Sequence, residues 1–194
     1  MADESAALPS EHALTTARTV IRPYQPSDAE ALYQTIAASR EHIAQWLPWT
    51  PQHGSVDDSR ALIQRFQAQW ELHEDFPYGV FAREVDGQSG QSGALLGGLG
   101  LHPHDWAVPY FEIGYWLAAS AECHGYMTEA ASALVEYALR ELGARRLEIT
   151  CDARNTRSAA VARRLGFEQE GLLRNHMRLS DGALRDTLVF ARIA

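Results

Sequence analysis

Apolar positions along the chain follow two spacings, and the switches between them mark out the elements. Thr19-Val20-Ile21-Arg22 reads as a short strand broken by Pro23 and Pro26. Ser27 with Glu30 then has the spacing of a capping box, starting a helix that carries Ala31, Leu32 and Ile36. A second short helix is expected around His42, Ile43 and Trp46, stopped in Trp46-Leu47-Pro48-Trp49, where Pro48 makes continuation costly. Those tryptophans read either as a substrate wall or as plain packing. Ser55, with Asp58 three residues on, caps a third helix through Leu62, Ile63, Phe66 and Trp70. After Pro77 the pattern becomes that of strands. Tyr78–Val85 and Ala94–Leu101, joined by Asp86-Gly87 and a Gly/Ser-rich connection, predict a hairpin, and Tyr110–Leu117 follows as the next strand. The helical period returns in Ala131, Leu134, Val135, Ala138, Leu139 and Leu142, closed by Gly143. Leu147, Ile149 and Cys151 alternate with Glu148 and Thr150 in a strand, and Asn155 caps a helix that runs to Leu165 before Gly166. Phe167–Leu173 and Leu184–Ile193 are the last strands, around the Asp181-Gly182 turn. About seven strands interrupted by helices predict an α/β sandwich with a mixed sheet. Residues 1–16, rich in Ala, Ser and Glu without periodicity, read as a loose tail ahead of one domain over 17–194.

One junction in that pattern carries chemistry. The strand Tyr110–Leu117 runs into the turn Glu122-Cys123-His124-Gly125-Tyr126-Met127-Thr128-Glu129 and then into a helix. A glycine turn opening a helix leaves the first backbone N–H groups unpaired, at the positive end of the helix dipole, where a phosphate is favoured. The alternative is an ordinary strand-to-helix connection.

Composition narrows the picture. With 194 residues, 46% of them hydrophobic, the chain suits one compact domain with a sizeable core. No stretch approaches the roughly 20 apolar residues of a membrane helix, and the N-terminus lacks the blocks of a secretion signal, so a cytoplasmic location without membrane contact is expected. Two cysteines, Cys123 and Cys151, are too few for a disulfide framework. The net charge of −8 argues against nucleic acid as a partner. Residues 1–80 hold 11 acids against 5 arginines, whereas residues 140–164 hold 7 arginines against 3 acids. An acidic front half suits a cationic substrate and an arginine-rich stretch suits a phosphate-rich one.

The order of four pieces, Glu112-Ile113-Gly114-Tyr115-Trp116-Leu117, Gly125-Tyr126-Met127-Thr128-Glu129-Ala130, Asn155-Thr156-Arg157-Ser158 and Leu165-Gly166-Phe167, resembles the GNAT superfamily of acetyl-CoA-dependent N-acetyltransferases. Trp46-Leu47-Pro48-Trp49 and Asp181-Gly182 followed by Arg185-Asp186 look like its ribosomal-protein N-terminal acetyltransferase branch. The resemblance implies a single GNAT-like α/β domain, with a mostly antiparallel mixed sheet flanked by helices. It also implies acetyl-CoA as cosubstrate, with no metal, and a primary amine as acceptor, above all the α-amine of a protein or peptide N-terminus. A small amine, amino acid or antibiotic as acceptor, or a module that binds acyl-CoA without turning it over, are the competing readings. A homodimer stays open.

Residue by residue, the resemblance places the pyrophosphate on the loop of Cys123, His124, Gly125, Tyr126, Met127 and Thr128, and the pantetheine arm on the backbone of Tyr115, Trp116 and Leu117. Gly114 would form a bulge where the strand splays. The family's loop pattern, Arg/Gln-x-x-Gly-x-Gly/Ala, maps onto Glu122, Gly125 and Met127, of which only the glycine is kept. Either Glu122 points into solvent, or it weakens coenzyme binding. Asn155 either contacts the pantetheine or only caps its helix, and Ser158 faces the cofactor or shares the capping. Glu112 stands where superfamily members place a general base; a lone carboxylate in an apolar strand is costly to bury for packing alone. The tyrosine that many members carry seven residues after the asparagine is replaced by Ala162. The resemblance suggests Cys151 as a substitute to protonate the departing thiolate, the alternative being a buried cysteine on the Leu147 and Ile149 face, and Ser158 and Tyr126 are further candidates. His102, His104 and His124 lack a metal-ligand pattern.

Overall fold

The computed structural model describes residues 13–84, 92–179 and 182–194. The Asp86-Gly87 connection, Asp181 of the late turn and the first twelve residues of the expected tail lie outside them.

Eight strands form a single sheet in the order β1-β2-β3-β4-β5-β6-β8-β7: β1 Leu14–Thr15, β2 Thr19–Pro23, β3 Phe76–Arg83, β4 Ser92–Asp105, β5 Tyr110–Leu117, β6 Arg146–Asp152, β7 Glu168–Arg178 and β8 Leu184–Ile193. Four helices flank it: α1 Ala29–Ala44, α2 Val56–Glu71, α3 Tyr126–Arg140 and α4 Thr156–Arg164. Every pairing is antiparallel except β5 with β6, joined by the crossover through α3. This is the mixed, mostly antiparallel α/β sheet that the sequence predicts, with β1 as an eighth strand. Leu14 and Thr15, placed in the tail by composition, pair with Ile21 and Val20.

Two expected details differ. The separate helices around Leu32 and around Ile43 are one continuous helix, because Ala37-Ala38-Ser39-Arg40-Glu41 between them contains nothing that breaks one. Its entry is not capped by Ser27. A 3-10 turn at Pro26–Asp28 precedes it, and the Asp28 carboxylate accepts the Gln25 N–H at 2.7 Å and both terminal nitrogens of Arg22, at 2.7 and 2.9 Å.

The sheet divides two cores. On one face, Phe111 and Ile113 of β5 and Leu147 and Ile149 of β6 pack under the inner face of α3, Ala130, Ala131, Leu134, Val135 and Ala138. On the other, Tyr24, Phe81 and Leu95 meet Leu32, Ile36, Ile43 and Ile63 of α1 and α2, with Trp116 against them. Residues of β5 thus alternate between the faces, Tyr115 going with α3 and α4 while Glu112, Gly114 and Trp116 go to the other side. Among the described residues, no helix is long and apolar enough to cross a membrane.

Candidate active site

β5 and β6 pair only over Tyr110–Glu112 with Arg146–Glu148, and then part. Beyond that point β6 stays paired to β8 as far as Asp152, and β5 to β4 as far as Leu117, with Ala118 N–H donating to the Leu96 carbonyl at 2.8 Å. The edge of β5 from Ile113 to Leu117 that faces β6 is therefore left without a strand partner, which makes a fork in the middle of the sheet. The expected bulge at Gly114 is absent: it sits in register opposite Gly100, and the irregularity of this pair of strands lies between Pro103 and Asp105. A Cβ at 114 would stand 2.9 Å from Nε2 of His102 instead, so the glycine makes room for that imidazole.

At the open end of the fork the chain turns into α3. Gly125 is the N-cap residue with φ of +80°, a conformation glycine adopts without strain, and no side chain caps this end. The first N–H groups of the helix therefore lack intrahelical partners, with the dipole's positive end behind them. Met127 is 3% exposed and locked in the core, so only its backbone can serve a ligand, whereas Cys123 and His124 are exposed. Arg18 holds the turn from β2's side. Its guanidinium donates to the His124 carbonyl at 2.9 Å and to Glu129 at 2.7 Å, and lies 4.9 Å over the Tyr126 ring. Glu129 also accepts from Thr16 Oγ1 at 2.6 Å and from the Arg18 N–H at 2.8 Å. Burial alone would raise the pKa of Glu129, but these donors outweigh it and hold the carboxyl below its ordinary value.

Glu122 does not point freely into solvent. Its carboxylate pairs with Arg157 in the first turn of α4 and with His42 Nε2 of α1 at 2.7 Å. The charge that looked out of place in the loop is matched by an arginine 35 positions away.

Inside the fork, Tyr115 reaches across to α4. Its hydroxyl donates to the Ser158 carbonyl and accepts from Ser158 Oγ, both at 3.1 Å. Burial pushes the Tyr115 pKa up, against the hydrogen bond from Ser158, and nearby Cys151 adds to the rise. Cys151 is itself buried at the end of β6, which raises its pKa; Asp152 adds to this, while Ser158, Arg163 and Arg185 oppose it. So Tyr115, Cys151 and Ser158 form one cluster. The sequence suggested only the last two as side chains, because nothing in the pattern of β5 says where the phenol ends. Ala162, at the position of the missing tyrosine, is wholly buried in the core. Asn155 caps α4, its side chain accepting the Ser158 N–H at 3.0 Å.

Glu112 is the last residue of β5 paired to β6, on the face opposite Tyr115. Thr150 Oγ1 donates to its Oε1 at 2.7 Å, and His104 Nε2 stands 3.3 Å from Oε2, leaving 29% of the side chain exposed. His102 is its partner across the β4–β5 ladder. The imidazole Nδ1 is 2.6 Å from Oδ1 of Asp75, which also accepts the Phe76 N–H at 2.9 Å. This pair was missed by sequence reasoning, since its members are 27 positions apart and no motif links them. Among the described residues, no three His, Cys, Asp or Glu side chains group as a metal site requires.

A fork between two parallel strands, with a helix start at Gly125 at its mouth and a carboxylate at its base, is the arrangement that the resemblance implies for a coenzyme-A-dependent acyltransferase. Comparison with known proteins agrees. The family model for the acetyltransferase (GNAT) domain matches residues 18–168. The YdaF protein of Bacillus subtilis is 31% identical over 156 residues, 80% of each chain. The ribosomal-protein-serine acetyltransferase of Escherichia coli is 30% identical over 162 residues, 84% of this chain and 85% of that one. Among solved structures, RimL, a ribosomal L7/L12 alpha-N-protein acetyltransferase in complex with coenzyme A, superposes with a TM-score of 0.84 at 25% identity, covering 94% of this chain and 98% of that one. The chain belongs to the GNAT acetyltransferase family. It is an N-acetyltransferase that uses acetyl-CoA as its cosubstrate.

Proposed function

We propose that the acceptor is the α-amine of a protein or peptide N-terminus, and that the placement of Glu112 at the base of the fork carries this reading. Acetyl transfer needs an uncharged amine. An α-amine, with a pKa near 8, loses its proton far more readily at neutral pH than a lysine amine near 10.4. A partly exposed carboxylate at the fork attracts the ammonium form and holds it at the base of the fork until it loses its proton. The names of the two relatives, a ribosomal-protein-serine acetyltransferase and an alpha-N-protein acetyltransferase, support the same acceptor class. An assay of thiol release from acetyl-CoA over N-terminal peptides, polyamines, amino acids and aminoglycosides tests it. Turnover of peptides is the expected result, and turnover of small amines alone refutes the assignment.

In this reading the pyrophosphate rests on the backbone N–H groups of Cys123, His124, Gly125, Tyr126, Met127 and Thr128. The pantetheine arm completes the sheet along the free edge of Tyr115, Trp116 and Leu117, and Asn155 holds the start of α4 beside it. Glu122 lowers coenzyme affinity by occupying Arg157. Glu122→Gln keeps the loop's hydrogen bonding and releases that guanidinium, so calorimetry should show acetyl-CoA binding tighter by about threefold to tenfold, the scale of a charge-assisted contact at a half-exposed site. Glu122→Arg, attractive from the family pattern alone, sets two guanidinium groups side by side and should gain less.

Ser158 hands its hydroxyl proton to the departing thiolate as the Tyr115 hydroxyl turns from the Ser158 carbonyl to Oγ and replaces it, and the phenolate recovers a proton from water. Cys151 is buried whereas Ser158 is half-buried beside the fork, so access rather than acidity favours the hydroxyl. Cys151→Ala should therefore leave the transfer rate within about twofold, whereas Ser158→Ala should lower it by about tenfold or more. The reverse order would move the role to the thiol.

A further inference from the structure

The acceptor side of the fork holds a second ionisable group that the fold takes care to position. His102 lies on the sheet with its ring over two glycines. A Cβ at Gly100 would stand 2.7 Å from Nε2 and Cε1, and one at Gly114 would stand 2.9 Å from Nε2. Contacts that close do not occur with real side chains, so the imidazole occupies a trough that exists only because both positions lack a Cβ. Gly114 belongs to the stretch of β5 left free of β6. The trough therefore brings Nε2 to the strand segment along which the thioester has to lie.

The other ring nitrogen is held from behind. A carboxylate oxygen can only accept, so the 2.6 Å contact to Asp75 Oδ1 places the proton on Nδ1 and leaves the lone pair on Nε2. Asp75 is fixed in turn by the Phe76 N–H. We propose that His102, oriented by Asp75, is the base that takes the proton from the acceptor amine, while Glu112 draws that amine in as its cation. This rests on the acetyl-transfer reading above and assigns the proton step within the same site. Nε2 first takes a proton from the ammonium and passes it to water, which frees the nitrogen lone pair; as that lone pair attacks the thioester carbonyl, a second N–H proton moves to Nε2. The C–N bond forms, the C–S bond breaks, and the sulfur takes a proton to leave as the free thiol. The imidazolium then releases its proton to water, which a side chain 41% exposed can reach.

The charged groups facing the imidazole are consistent with this role. They are Asp75 from the turn before β3 and Glu112 from β5, with His104 two residues along the same strand sharing Glu112. Burial pulls the His102 pKa down, but the hydrogen bond and charge of Asp75, helped by the charge of Glu112, outweigh it and leave it above the ordinary histidine value. A base is most effective when its pKa lies near the working pH, and a histidine raised in this way matches an α-ammonium better than a carboxylate does.

The test uses whichever amine of the panel the wild-type enzyme acetylates fastest, with kcat measured against pH at saturating amine and acetyl-CoA. Wild-type kcat should rise with pH through an apparent pKa above that of free histidine. His102→Gln should lower kcat by about 100-fold or more and remove that limb, with the acetyl-CoA Kd by calorimetry changed by less than about threefold. Asp75→Asn, which keeps a hydrogen-bond acceptor but removes the charge, should move the limb to lower pH and cost roughly tenfold in kcat. The proposal is overturned if His102→Gln keeps kcat within about threefold of wild type, if its loss lies only in the KM for the amine, or if Asp75→Asn leaves the limb in place. Because these measurements can be made on a small amine as well as on a peptide, failure of the peptide acceptor and failure of His102 as the base give different results.

Discussion

Glu112→Gln should lower kcat/KM for the acceptor by about 100-fold, with most of the loss in the acceptor KM and little change in acetyl-CoA affinity. The substitution keeps the shape of the side chain and an oxygen to accept from Thr150, so the local fold survives. It removes the only feature by which this position attracts a cation. Two opposite charges about 4 Å apart interact by roughly 4 kcal/mol at the effective dielectric of a half-buried site, about 20. The 29% exposure of the Glu112 side chain admits screening, so a loss of about 2–3 kcal/mol, or about 100-fold, is the reasonable expectation. Steady-state kinetics on the preferred amine, with a parallel calorimetric titration of acetyl-CoA, checks it. A loss of less than about threefold would show that the carboxylate serves only Thr150 and His104. The split also separates this residue from His102, whose removal should act on kcat.

The second large effect is on stability. Phe111→Ala should destabilise the fold by about 3–5 kcal/mol, the usual range for emptying a fully buried aromatic site. Phe111 is 0% exposed, sits between Pro103 of β4 and Leu147 of β6, and meets Trp106 edge-on with ring centroids 5.1 Å apart. It lies at the short stretch where β5 and β6 are still joined, so few neighbours can close in on the cavity. For a domain of this size each kcal/mol shifts Tm by roughly 2–4 °C, giving a drop of about 10 °C or more in a thermal melt. A drop under about 3 °C would mean that the joint collapses onto the vacancy. Well below the new midpoint the variant should still bind acetyl-CoA, because the free edge of β5 begins two residues further on.

The parts of the site that were legible in the sequence are those carried by one continuous stretch. The strand Tyr110–Leu117, the turn at Gly125 and the helix after it follow from local spacing, since a glycine before a helical period marks the place where helix donors are left open. Glu112 stood out because a carboxylate interrupts an apolar run. What the sequence hid was set by the order of strands. Arg157 neutralises Glu122, Asp75 orients His102 and Arg18 bonds Glu129, and each of these pairs joins segments that meet only once the sheet is assembled. Tyr115 shows the same limit at a single residue: its backbone is where the resemblance placed it, but its hydroxyl belongs to a cluster with Ser158 that no period in β5 announces.

Gly114 was expected to serve the backbone and instead serves a neighbour. Since its missing Cβ is the space that the His102 ring fills, a side chain at 114 displaces the imidazole from its present place. The constraint runs one way: the histidine can be replaced without disturbing the glycine, but the glycine can change only at the expense of the histidine's position. Substitution at the glycine would look harmless to the strand, which tolerates alanine, while turning the imidazole away from the fork.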